Sequence, residues 1–186
     1  PTRRSSDLAQ GDYSKALEYF EEVLKIRLSV YGENHSRVAS VYNDIGEIYS
    51  VQGDDFKALD YFKKSLKIVL SVYGENHSQV SSIYDHIGEI YFAQKDYSKA
   101  LYYFEESLKI RLSLFGENHP EVALSYYSIG SLYIIQGDKS KALNYYEKSL
   151  KIRLSVYGEN HPLTKEIMDL INVANSKVLQ SPETTK

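Results

Sequence analysis

Four histidines recur at a fixed interval, and imidazole is a common metal ligand. They are His35, His77, His119 and His161, each 42 residues after the last. A period of this length predicts stacked helical repeats, in which equivalent residues lie roughly 10 Å apart. Ligands of one metal ion must lie about 2 Å from it, so the four histidines cannot share a site. We therefore expect no metal site, and a structural role for each histidine in a turn.

Other reactive residue types occur without the patterns that enzymes need. The chain has no cysteine, which excludes a disulfide framework, a thiolate zinc site and a cysteine nucleophile. The sequence contains no glycine-rich phosphate loop, metal-binding histidine pair or nucleophile elbow. We therefore expect that the chain is not an enzyme and that it takes neither a cofactor nor a small-molecule substrate.

The charge pattern argues against nucleic acid and membranes as partners. The formal net charge is −3 over 186 residues, and no apolar run approaches the roughly 20 residues that span a bilayer. Lys-Ile-Arg triplets begin at Lys25, Lys109 and Lys151, but acidic residues lie among them. We expect these triplets to lie near helix C-termini, where the helix dipole favours cations. Without cysteines, a cytoplasmic location is the default expectation.

The tetrapeptide Gly-Glu-Asn-His begins at Gly32, Gly74, Gly116 and Gly158. It lies where one apolar helical pattern ends and the next begins. Glycine can adopt the left-handed conformation that ends a helix, and we expect the side chain of Asn76 to cap the helix that follows. The tetrapeptide therefore predicts a turn between two helices.

A glycine also recurs in the middle of a predicted helix, where it costs about 1 kcal/mol relative to alanine. Its copies are Gly46, Gly88 and Gly130. A repeated cost at one position predicts the close approach of a second helix. We expect the facing residues to be the small side chains Ala16, Ala58, Ala100 and Ala142. Each repeat is thus predicted to be a pair of antiparallel helices.

These residues resemble the tetratricopeptide signature, an aromatic residue followed by Leu-Gly, Tyr, Ala and Phe. The first copy reads Tyr42, Ile45, Gly46, Tyr49, Ala58, Phe62. The 42-residue period, rather than 34, resembles the repeats of kinesin light chains. The resemblance implies an all-α fold, namely an α-solenoid of antiparallel helix pairs that forms a right-handed superhelix.

The repeat also predicts boundaries along the chain. Residues 1–8 match nothing in the repeats and look like a translated sequencing-adapter oligonucleotide, so we expect a non-native leader. A repeat array is predicted over 9–178, followed by a flexible tail over 179–186. The predicted parts of the array are a partial repeat 11–34, full repeats 35–76, 77–118 and 119–160, and a capping helix 161–178.

The resemblance further implies that the first helix of each pair lines a concave groove, in which peptides bind. The candidate residues are Asn43, Glu47, Asp85, Glu89, Phe92, Tyr127, Ser131 and Ile134. Their types vary between repeats while the framework stays nearly constant, as in a specificity surface. Neutral drift on a solvated face is the alternative interpretation. The acidic residues disfavour a carboxylate clamp, and Asp44 and His86 depart from the paired asparagines of kinesin light chains.

We therefore expect a protein-interaction scaffold that binds a peptide or helix of a partner protein. A basic partner with an apolar anchor would complement the acidic and apolar groove residues. The alternative is a regulatory or sensor array within a larger signalling or motor-adaptor protein. That alternative is suggested by the first predicted helix, from about Asp12 to Tyr31, which lacks a partner helix.

Overall fold

Eight α-helices make up the described part of the chain. The computed structural model describes residues 3–176, with side chains from Asp12 onward, and contains no strand within that range. The predicted tail, 179–186, lies outside the described residues. The helices are α1 (Arg3–Tyr31), α2 (Ser36–Gln52), α3 (Asp55–Tyr73), α4 (Ser78–Ala93), α5 (Tyr97–Phe115), α6 (Pro120–Gln136), α7 (Lys139–Tyr157) and α8 (Pro162–Ser176).

The helices form two compact units. Unit 1 extends to Gln94 and contains α1 to α4, and unit 2 begins at Lys95 and contains α5 to α8. In each unit one pair packs most extensively, α2 with α3 and α6 with α7, and the other helices pack on their neighbours along the chain. These two pairs agree with the predicted pairs of repeats 35–76 and 119–160. We call α2, α4 and α6 the first helices, and α3, α5 and α7 the second helices.

The close approach within a pair centres on the mid-helix glycine. A Cβ added to Gly46 would lie 2.9 Å from the Phe62 ring, and one added to Gly130 would lie 2.7 Å from the Tyr146 ring. Both rings are buried. The aromatic rings, rather than the predicted alanine side chains, therefore fill the space of the missing Cβ. Ala142 contributes its carbonyl oxygen, 3.3 Å from the Gly130 position.

The turns between repeats use histidine as the helix cap. The Nδ1 of His77 accepts a hydrogen bond from the Gln79 backbone N–H at 3.2 Å, and its ring stacks on Tyr73 with centroids 4.2 Å apart. Gly74 ends the preceding helix with a φ of 78°. The predicted cap at Asn76 is wrong, because the extended N-cap residue directly before α4 is the histidine. Equivalent bonds and stacks occur at His35, His119 and His161.

The first helix differs from the prediction in length. Helix α1 begins at Arg3 rather than at Asp12. No proline lies between these residues to break the helix, and Gly11 is tolerated within it. The non-native origin of residues 1–8 stays a prediction. Helix α8 follows the predicted capping helix as far as Ser176. No helix among the described residues has the length and apolarity to cross a membrane.

We predict that Gly130→Ala destabilises the protein, although alanine favours helix more than glycine. The added Cβ would lie 2.7 Å from the Tyr146 ring, and overpacking of this kind costs about 1–3 kcal/mol of unfolding free energy. Thermal and denaturant unfolding followed by circular dichroism measure the change. Asn144→Ala, on an exposed face of α7, is the control and should change the free energy by roughly 0.5 kcal/mol or less. A Gly130→Ala protein as stable as the parent would contradict the close contact.

Candidate partner-binding surface

The candidate residues lie on the first helices, at positions that share a helix face. Asn43 and Glu47 are four residues apart on α2, and Asp85 and Glu89 are four apart on α4. Residues at this spacing lie one above the other on an α-helix. Tyr127 and Ser131 repeat the spacing on α6 in unit 2, and Phe92 and Ile134 each lie one turn further along.

In unit 1 the carboxylate of Glu47 on α2 lies close to a side chain of α4. The Nδ2 of Asn43 donates a hydrogen bond to the Oε1 of Glu47 at 2.6 Å. The same carboxylate oxygen lies 3.9 Å from the Nδ1 of His86 on α4, and the His86 ring packs against Phe62 with centroids 4.9 Å apart. Glu47 therefore lies between a neighbour on its own helix and one on the next first helix.

The remaining candidates of unit 1 lie along α4. Glu89 is exposed, whereas Asp85 and Phe92 are half-buried. The arrangement offers carboxylates to solvent beside a partly accessible aromatic ring. A ligand with positive charge and an apolar group has the matching chemistry.

Asp44 belongs to this surface, although it is absent from the predicted set. Its side chain is half-buried. Burial raises the pKa of the Asp44 carboxyl, the charge of Glu47 raises it further, and Arg27 opposes the rise. Because burial and the charge of Glu47 disfavour the ionised form of Asp44, a cation bound nearby would stabilise the carboxylate. In the sequence, the feature that pointed to Asp44 was its departure from the paired asparagines of kinesin light chains.

In unit 2 two candidates take part in internal hydrogen bonds. The hydroxyl of Tyr127 donates to the Oε1 of Glu166 at 3.0 Å. The hydroxyl of Ser131 donates to the Tyr127 carbonyl at 3.0 Å and accepts from the Tyr146 hydroxyl at 3.2 Å. Burial raises the pKa of the Tyr127 phenol, and the bond to Glu166 raises it further. These side chains help to hold α6, α7 and α8 together.

Ile134 borders an apolar pocket of unit 2. The pocket has a volume of about 200 Å³ and lies among α6, α7 and α8. Its walls include Tyr146, Leu170 and Val173, and Val173 is 52% exposed. A pocket of this kind can accept an aliphatic or aromatic side chain.

The arginines of the Lys-Ile-Arg triplets lie near helix C-termini, as the sequence predicted, and they also connect each helix to the next one. Arg111 and Arg153 are each only 4% exposed. The guanidinium of Arg111 donates to the Ser125 hydroxyl at 2.8 Å and pairs with Glu121 at 3.0 Å. Each arginine lies inside its helix rather than in the last turn, so it reaches the start of the next helix.

Arg153 makes the fullest set of these contacts. It donates to the Leu163 carbonyl at 2.6 Å, lies 3.4 Å from the Oε2 of Glu166, and covers the Tyr127 ring at 5.0 Å. It thereby joins α7 to both α6 and α8. Arg27 is equivalent in unit 1, with bonds to the Arg37 carbonyl at 2.6 Å and to the Ser40 hydroxyl at 2.8 Å.

The four repeated histidines are occupied as helix caps. Each ring stacks on the aromatic residue four positions earlier. Within residues 3–176, no three side chains of the metal-binding types form a group that could hold an ion.

A family model for the tetratricopeptide repeat matches three overlapping stretches, residues 5–71, 37–113 and 79–155. No curated protein matches the chain.

Solved structures share the fold at low sequence identity. BtubC (BKLC) from P. vanneervenii is 20% identical, with a TM-score of 0.75 over 95% of this chain and 78% of that protein. The TPR-like repeats assigned to a kinesin light chain of Podosopora anserina are 16% identical, with a TM-score of 0.69 over 96% and 97%. The apo form of RapI is 17% identical, with a TM-score of 0.76 over 94% and 61%. These likenesses show the fold alone.

We predict that Arg153→Leu loosens α8 from the rest of unit 2. Leucine fills part of the volume but loses the bonds to Leu163 and Glu166. Hydrogen bonds of a charged group contribute about 1.5–3 kcal/mol. The unfolding free energy should therefore decrease by an amount within that range. Hydrogen exchange should quicken throughout α8. Lys151→Leu, at an exposed position of the same triplet, is the matched control. Equal effects of the two substitutions would contradict the connecting role of Arg153.

Proposed function

Because the chain belongs to the tetratricopeptide repeat family, as matches across residues 5–155 establish, we propose that its first helices form the binding surface of a protein-interaction scaffold. Tetratricopeptide repeats serve as interaction scaffolds, and solved proteins of this fold are arrays of the same helix pairs. The proposed ligand is a peptide or helix of a partner protein. The candidate residues of α2 and α4 form the proposed contact surface of unit 1, and those of α6 form the proposed contact surface of unit 2.

The observation that carries the proposal is the division of each first helix into two faces. One face is buried and nearly constant from repeat to repeat: Ile45, Ile87 and Ile129 are each fully buried at equivalent positions. The other face is partly or fully accessible and changes in type, from Asn43 to Asp85 to Tyr127. Packing requires the constant face, whereas recognition of a particular partner would use the variable one.

Charge selects the chemistry of the partner at unit 1. Glu47 and Glu89 are exposed carboxylates, and Asp85 is half-buried one helical turn before Glu89. Carboxylates of one sign on a surface steer oppositely charged ligands and penalise acidic ones. A partner segment with lysine or arginine is therefore favoured, and affinity should weaken with added salt.

Unit 2 supplies an apolar contact by itself. Ile134 is 37% exposed and borders the pocket formed with Leu170 and Val173. An apolar side chain of the partner that fills this pocket would add affinity by removing its surface from water. Each unit thus favours one of the two ligand features that the sequence predicted, positive charge at unit 1 and an apolar anchor at unit 2.

We predict that charge reversal of α4 weakens partner binding. Peptides are selected from a displayed random library on the parent chain, and their affinities are then measured by calorimetry. The double variant Asp85→Lys/Glu89→Lys should bind the selected peptides at least tenfold more weakly, because attraction becomes repulsion.

The control makes the same number of charge reversals on the second helices. Glu105 and Glu147 are exposed on the second helices α5 and α7, and Glu105→Lys/Glu147→Lys should leave the affinity within about twofold of the parent. If the α4 variant bound every selected peptide as tightly as the parent, the first-helix surface would not be the binding site.

A further inference from the structure

One repeat lacks the connecting arginine. Arg27, Arg111 and Arg153 stand at equivalent positions, spaced by multiples of 42 residues, and the position between the first two is Val69. Val69 lies on α3 and is 1% exposed. The chain therefore repeats a buried or half-buried guanidinium three times and omits it at α3.

The surroundings of Arg153 show what the guanidinium requires. It lies between Tyr127 on one first helix and Glu166 on the helix that follows the next turn. The residues at the corresponding positions around Val69 are Asn43 on α2 and Ser82 on α4. Both can accept hydrogen bonds from an N–H donor.

A pocket occupies this place in unit 1. We call it the Val69 pocket; it has a volume of about 170 Å³ and lies among α2, α3 and α4. Its lining includes Val69, Asn43 and Ser82, together with Ser40 and Asp44. Ser82 is exposed and Ser40 half-buried, so the pocket is open to solvent on the side of the first helices.

The polar groups of the pocket are only partly satisfied. The Oδ1 of Asn43 is buried and has no hydrogen-bond partner among the described residues, although its Nδ2 is bonded to Glu47. A buried acceptor without a donor costs roughly 1–3 kcal/mol. Asp44 adds a half-buried carboxylate, and burial with the charge of Glu47 raises its pKa despite the opposing charge of Arg27. The pocket thus presents one buried acceptor that lacks a donor, beside a half-buried carboxylate.

We propose that the Val69 pocket receives the guanidinium of an arginine side chain of a partner protein, in the place where the other repeats hold an arginine of their own. The inference rests on the proposed function and specifies the chemistry of the ligand. Arginine is favoured over lysine because a planar guanidinium offers five donors in a fixed fork, which suits acceptors on two different helices. The apolar wall at Val69 accommodates the methylenes of the entering side chain.

The test uses N-acetyl-arginine methylamide as the probe, with the isosteric but uncharged citrulline analogue as its matched control. Each compound is titrated into the 15N-labelled full chain, and backbone amide shifts are followed by NMR. The arginine probe should shift the amides around Asn43 and Ser82 in a saturable manner, and the citrulline analogue should bind at least tenfold more weakly. Equal shifts with the two compounds, or none with the arginine probe, would overturn the inference.

Two variants test the pocket from the protein side. Val69→Arg restores the arginine of the other repeats and fills the pocket from within, so it should abolish the saturable shifts. Val72→Arg adds the same charge at a position of α3 that is 44% exposed, and it should keep them. Asp44→Asn removes the carboxylate with little change in shape, and it should weaken binding of the arginine probe several-fold. This variant keeps the test valid if Val69→Arg proves unstable. Persistence of binding in both Val69→Arg and Asp44→Asn would contradict the assignment.

The library-selected peptides separate this inference from the proposed function. Binding that is lost in both Asp85→Lys/Glu89→Lys and Val69→Arg supports the two together. Binding that is lost in the α4 variant but unchanged in Val69→Arg would overturn the arginine pocket and leave the first-helix surface standing. If the arginine pocket is correct, arginine-to-citrulline replacement within one selected peptide reproduces the effect of Val69→Arg, with at least a tenfold loss of affinity.

Discussion

The contact between a mid-helix glycine and an aromatic ring is the constraint on which the rest of the structure depends. Phe62 and Tyr146 occupy the space that a side chain at Gly46 or Gly130 would need. This close approach sets the separation of the paired helices, and interiors this densely packed tolerate little change in volume. With one face of each first helix held against its partner, the opposite face is left to vary. Under the proposed function, architecture and recognition share one helix without competing for the same residues.

A second constraint joins one pair to the next. Arg111 and Arg153 place buried guanidinium groups against the following helix, where hydroxyl, carbonyl and carboxylate oxygens surround them. The same position becomes Val69 in α3, and a pocket with an unsatisfied amide oxygen remains. A structural position is thereby converted to a recognition position by the loss of one side chain. Periodic proteins allow this because each junction is nearly independent of the others.

The repeat period and apolar spacing predicted the all-α class and the helix pairs, and the resemblance to the family signature implied the tetratricopeptide architecture. These predictions are confirmed. The sequence could not decide which of two neighbouring residues caps a helix, or which contacts a side chain near a helix end makes. Asn76 and His77 can both cap a helix, and only the backbone conformation assigns the cap to His77. Likewise, Arg153 near a helix end suggested a dipole interaction, whereas its contacts depend on where α8 packs. The pocket at Val69 forms where a contact is absent, so it can be recognised only when the positions of α2 and α4 around Val69 are known.

The central claim is that a partner protein binds the first helices and inserts an arginine beside Val69. A crystal structure of the full chain with one library-selected peptide tests it most directly. The account predicts that the peptide contacts α2 and α4 and that a guanidinium hydrogen-bonds with the Oδ1 of Asn43 in the Val69 pocket. A peptide bound to the exposed faces of the second helices, with the Val69 pocket unoccupied, would contradict it.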